Sequence, residues 1–171
     1  ERDGPVELKG EWDFWFEQFI APEAFLPWQP ELPQPILYEA PSSLSNIPST
    51  QHAEGYLPSH GYGTASLKIL LSDPRGQELA LSSIGTTGAF TVNLVSSQGT
   101  SLLTRNGQPG ENTNSTIPSY DFELQSLHTA PSLTPKEFSL VMHLSSFYHP
   151  RGGLTGDITI GSMSYLATEK L

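Results

Sequence analysis

The densest chemistry in this 171-residue sequence is the stretch Phe147-Tyr148-His149-Pro150-Arg151-Gly152-Gly153. It sets a phenol, an imidazole and a guanidinium within a few residues. Arg151 offers a rigid fork of N–H donors suited to a carboxylate or to sugar hydroxyls. Paired glycines let backbone come close to a ligand or to a neighbouring strand. The same residues also fit a structural role, with Arg151 on a carbonyl or a buried acid and the glycines in a bulge. His60 and Tyr62 stand just before an alternating apolar stretch. There they either line a loop end, where binding residues collect, or form a turn with a packed tyrosine. Trp15 and Trp28 are candidates for stacking on a sugar ring, whose C–H face is apolar. Core packing is the alternative for both, and for Trp12 it is the expected role.

Catalysis has little to work with. A covalent mechanism needs a nucleophile beside a base, and glycoside hydrolysis needs paired carboxylates. The sequence has no Gly-x-Ser-x-Gly elbow, and Asp13, Asp121 and Asp157 are isolated. His52, His60, His128, His143 and His149 are scattered without metal-ligand spacing. There are no cysteines, which removes thiolate chemistry, disulfides and Cys-based zinc sites. No enzyme activity, metal or cofactor is expected.

These residues need elements to hold them. The chain is 36% apolar, enough to fill a core, and only 15% charged. Gly and Pro contribute 15 residues each, punctuation that favours short strands and loops over long helices. The net charge of -10 repels nucleic-acid phosphates and anionic lipid surfaces, so nucleic-acid binding is not expected. In residues 10–19, Trp12, Phe14 and Phe16 alternate as on a strand, while Trp12, Trp15, Phe16 and Phe19 also match a helical spacing. Residues 21–25 fit one helical turn with Pro22 in it. Residues 27–58 read as Pro-rich coil, with one short strand at 36–40.

From Thr64 onward the alternation is clean. Ala65, Leu67, Ile69 and Leu71 share a face, followed by a turn at 73–76 and by Leu79, Leu81 and Ser83. Phe90, Val92 and Leu94 form a further strand, and Leu102 belongs to another before the turn dipeptide Asn106-Gly107. Phe138, Leu140, Met142 and Leu144 mark a later strand, Ile158 and Ile160 the last. Strands at short spacing without helical periods between them predict a β-sandwich or barrel. One domain over residues 1–171 is expected, with its core at about 8–161 and residues 162–171 as a helix or linker. No apolar run reaches the ~18 residues a bilayer span needs. The chain starts at Glu1 without Met and reads as an excised piece of a longer protein.

Three stretches carry a resemblance. Leu8-Lys9-Gly10-Glu11-Trp12-Asp13-Phe14 resembles the opening of galactose-binding-like jelly rolls, among them the N-terminal sugar-binding domain of family 2 glycoside hydrolases. His60-Gly61-Tyr62-Gly63-Thr64-Ala65-Ser66-Leu67 resembles their entry into the next core strand. Residues 144–154, Leu-Ser-Ser-Phe-Tyr-His-Pro-Arg-Gly-Gly-Leu, resemble a signature in which Asn stands where this chain has Ser146. Order and spacing are similar to the extracellular domain of seven-transmembrane receptors with diverse intracellular signalling modules. That resemblance implies a mostly antiparallel jelly-roll β-sandwich with little helix. It also implies a periplasmic setting, outside the membrane of a bacterial receptor whose spans lie beyond this chain, with residues 162–171 leading toward them. The implied partner is a small-molecule ligand, a carbohydrate or a carboxylate, bound by Arg151, His149, Tyr148, His60, Tyr62, Trp15 and Trp28. A homodimer fits the same picture. The sugar-binding opening equally supports a carbohydrate-binding module of a glycoside hydrolase. A protein-interaction sandwich with Trp28 in an interface is the third expectation.

Overall fold

The computed structural model describes residues 6–29, 31–50, 52–70, 79–84, 89–97, 99–106, 109–110, 125–126, 137–147, 153 and 157–162. For 79–84, 125–126, half of 99–106 and most of 157–162 the description is of backbone alone. The expected turns at 73–76 and at Gly107, and the expected linker after Ser162, lie outside these residues.

The fold is all-β, as the alternation predicts, and antiparallel, as the resemblance implies. Ten strands occur among the described residues: β1 (Val6–Glu7), β2 (Gly10–Phe16), β3 (Ile36–Ala40), β4 (Gly61–Leu70), β5 (Leu79–Ile84), β6 (Ala89–Ser96), β7 (Gly99–Asn106), β8 (Gln125–Ser126), β9 (Glu137–Ser146) and β10 (Asp157–Ser162). They form a six-stranded sheet in the order β3-β2-β4-β9-β6-β7 and a four-stranded sheet in the order β1-β10-β5-β8. Residues 10–16, ambiguous by periodicity, are a strand. Pairing on both sides resolves the ambiguity, with Trp12 opposite Tyr38 on β3 and Phe14 opposite Ala65 on β4. Pro22–Phe25 is a single 3-10 turn with its proline at the start.

One face of the six-stranded sheet is the hydrophobic core. Register lines up Phe14, Ala65, Met142 and Val92 in one row across four strands. The neighbouring rows are Phe16, Gly63, Leu144, Phe90 and Leu67, Leu140, Leu94. In the first two rows large residues face small ones, so rings fill the space that Ala65 and Gly63 leave. A Cβ at Gly63 would stand 2.7 Å from the Phe14 ring and 2.5 Å from the Trp15 carbonyl oxygen. The Gly-Tyr-Gly pattern is therefore a packing device as well as a strand entry. Trp12, Phe14, Tyr38, Phe138 and Leu140 are almost completely buried here, each worth roughly 1.5–3 kcal/mol or more in apolar transfer.

Part of the opposite face of the sheet, around Trp15, Thr64 and Val141, is also covered, which alternation does not foretell. After β2 the chain turns at Glu17, whose φ of 62° is unusual for a residue with a side chain. Its N–H donates to the Tyr62 carbonyl at 2.8 Å. The chain then runs back across the sheet as a strap, described over residues 17–29 and 31–33. Thr64, fully buried, latches it. Its hydroxyl donates to the Gln18 carbonyl at 2.7 Å and accepts from the Ile20 N–H at 2.9 Å. His143 pairs with Thr64 across the sheet. Its Nε2 donates to the Ile20 carbonyl at 2.6 Å, since a carbonyl oxygen only accepts. These bonds satisfy polar groups that would otherwise be buried at a cost.

Candidate functional site

Strap, strand end and loop meet at one end of the six-stranded sheet and leave a groove of about 860 Å³. That is within the usual size range for small-molecule sites, roughly 300–1,000 Å³. Its walls come from three segments. The end of β2 and the start of the strap supply Phe16, Glu17 and Gln18; the approach to β3 supplies Gln34; the loop after β3 supplies Ser49, Thr50 and His52.

Each wall has a local cause. The Phe16 ring is backed by Gly61, where a Cβ would lie 2.6 Å from it, so a side chain there would push the ring out of place. The His52 ring stands edge-on to Phe16, with centroids 5.6 Å apart at 73°. His52 is held from its other side by Ser49, whose Oγ lies 2.8 Å from Nδ1. The loop is closed by backbone bonds from the Ser49 N–H to the Gly55 carbonyl and from the Gly55 N–H to the His52 carbonyl, 2.8 and 2.9 Å long. It is pinned to the core through Ile47 and Leu57, joined by a backbone bond and both buried. The aromatic wall is thus rigid.

The polar wall is uncommitted. The side chains of Glu17, Gln18 and Gln34 make no hydrogen bond or ion pair with the described residues, and all three are exposed. Together they present acceptors and amide donors to whatever fills the groove. Glu17 and His52 are the titratable side chains in the described lining. A second groove, of about 960 Å³, runs beside the edge strand β3 and includes Lys9, Glu11, Leu37 and Glu39. Among the described residues no three His, Asp or Glu side chains gather as a metal site would need.

The residues singled out from sequence fare differently. Arg151, His149 and Tyr148 lie outside the described residues. Gly153 closes that stretch with φ near 120°, and a Cβ there would collide with the Tyr38 hydroxyl and press on the Leu44 backbone. Its glycine has a backbone role in the fold. Trp15 is a correction. It lines the groove but is only 3% exposed. The strap covers it, its indole N–H donates to the Pro33 carbonyl at 2.8 Å, and Phe25 stands edge-on at 5.5 Å. Its strand phase does point away from the core, as expected, but the face it points to is occupied. Tyr62 packs on Phe19 at 4.9 Å and lines neither groove, while His60 is exposed at the head of β4. Trp28 is 65% exposed and belongs to neither groove. Sequence reasoning missed Glu17, Gln18, Gln34 and Ser49, and set His52 aside as one of the scattered histidines. Their types are ordinary loop types, and no spacing links three segments so far apart in the chain.

No protein-family model matches the chain, and no curated protein matches it. Solved structures do, among them the following at 16–18% identity. Beta-glucuronidase from Ruminococcus gnavus aligns with a TM-score of 0.57 and 16% identity, over 92% of this chain and 28% of that chain. The same enzyme in complex with uronic deoxynojirimycin gives 0.56 and 18%, over 93% and 29%. Its complex with D-glucuronic acid gives 0.55 and 18%, over 92% and 29%. The chain spans less than a third of these enzymes' length, and what it shares with them is a β-sandwich fold.

Proposed function

We propose that the chain is a non-catalytic ligand-binding sandwich, the sensory domain of a bacterial membrane receptor on its periplasmic side, and that it takes a carbohydrate. The observation that carries the binding reading is the groove. A rigid aromatic wall, Phe16 with His52, faces uncommitted polar side chains at Glu17, Gln18 and Gln34. Sugars need this combination of an apolar surface for ring C–H groups and hydrogen-bonding partners for hydroxyls. The likeness of fold to a domain within a carbohydrate-processing enzyme supports the same ligand class. The non-catalytic reading rests on the lining, where Glu17 is the lone described carboxylate and hydrolysis of a glycoside needs two.

The receptor setting rests on the resemblance of the three sequence stretches. In that setting ligand binding biases two arrangements of the domain through differential affinity. A second reading, an accessory carbohydrate-binding domain of a glycoside hydrolase, draws on the same fold likeness. The sequence following Leu171 separates them: membrane spans mark the receptor, a catalytic barrel the enzyme.

Binding is tested by thermal unfolding of the chain against a panel of mono- and disaccharides. A sugar present at about 100 times its Kd stabilises by about 2.7 kcal/mol. The expected outcome is a raised Tm with at least one sugar, lost in His52→Ala and Gln34→Ala, with the unliganded Tm holding in Gln34→Ala and falling slightly in His52→Ala as the Phe16 and Ser49 contacts go. Arg151→Ala is the second arm. If it abolishes the shift and the groove variants keep it, the site belongs to residues 148–151 instead. If no sugar raises Tm, the carbohydrate reading fails.

A further inference from the structure

We infer that the groove selects neutral saccharides and discriminates against sugar acids, with Glu17 as the residue that sets this preference. The inference rests on the carbohydrate reading above. A bound carboxylate is held by guanidinium or ammonium groups, or by the free N–H groups of a helix N-terminus. The described lining has no Lys or Arg, and the helical elements among the described residues, Pro22–Phe25 and Leu44–Asn46, are single 3-10 turns. What the groove does hold is the Glu17 carboxylate, in a chain of net charge -10. A second carboxylate brought within about 6 Å of it is repelled enough to weaken binding roughly tenfold in partly screened surroundings. The field of the whole chain has the same sign.

The same carboxylate favours hydroxyls. It accepts from two O–H donors at once, and charge-assisted bonds of this kind are stronger than neutral ones. The Gln18 and Gln34 amides both donate and accept. None of the three must give up a bond within the described fold to do so. The backbone at Glu17 adds precision. Its left-handed φ of 62° and the bond from its N–H to Tyr62 fix where the side chain leaves the strap, between the β2 end and the groove. The anchored backbone keeps the carboxylate within reach of the groove beside the Phe16–His52 wall, where it acts on an occupant by charge.

The test uses matched pairs that differ only at C6: methyl β-D-glucoside against methyl β-D-glucuronide, and methyl β-D-galactoside against methyl β-D-galacturonide. Calorimetric titration is run on the chain and on Glu17→Gln, which keeps shape and removes the charge. At least one neutral member should bind about tenfold tighter than its acid, and Glu17→Gln should shrink that ratio toward one. High salt should shrink it as well, by screening. If an acid binds as tightly as its neutral partner, the inference falls and the carbohydrate reading stands. If the ratio survives in Glu17→Gln, the preference does not come from Glu17 and the inference falls likewise. If no member of either pair and no sugar of the wider panel binds, both fall together.

Discussion

Both faces of the six-stranded sheet bury side chains, one throughout and one only in part, and by different means. The core face is apolar, with Trp12, Phe14, Tyr38, Phe138 and Leu140 nearly inaccessible. The face under the strap buries Thr64, Ser66 and Ser145 beside Trp15 and Val141. The first face is stabilised by area removed from water, which needs no particular direction. The second depends on directed hydrogen bonds that the strap brings to it, at Thr64 and His143. Burial on the polar face is therefore conditional. It holds only while residues 17–33 lie where they do, and that stretch also supplies Glu17 and Gln18 to the groove.

Three substitutions sharpen or break this contrast. Phe14→Ala should be the most damaging, at about 3–5 kcal/mol, because it removes a fully buried ring and leaves a cavity. Urea unfolding measures it, and a loss no larger than that of Thr64→Val would erase the distinction between the faces. Thr64→Val keeps the shape and deletes the hydroxyl that serves two strap groups. It should cost about 1–3 kcal/mol, since buried partners are left unmet. Amide exchange should quicken at Ile20 while β4 and β9 amides stay protected. Uniform quickening would mean that strap and sheet open as one unit. Lys68→Ala, in turn, removes a 3.1 Å ion pair with Glu137. With those side chains 67% and 53% exposed, the change should stay below about 1 kcal/mol.

Much of the strand framework was legible from alternation. Phe90-Val92-Leu94 and Phe138-Leu140-Met142-Leu144 are core-facing in β6 and β9, as their period implies. The short strand at 36–40 and the turn at Pro22 also stand where local signals put them. A period reports which residues share a face and not what lies over that face. That is why Trp15 could be assigned to the face away from the core but not to a buried state. The groove was less legible still. Phe16, Gln34 and His52 are brought together by pairing of β2 with β3 and by closure of the loop at Gly55, neither of which leaves a local pattern.

The amino-acid sequence alone thus determined an all-β sandwich or barrel of short strands and excluded cysteine chemistry, because side-chain period and residue type are properties of the chain itself. The tertiary structure decided that the strap buries Trp15 and that Glu17 faces a groove walled by Phe16 and His52. Those outcomes depend on contacts between segments distant in sequence, and such contacts exist only once backbone pairing has fixed the register.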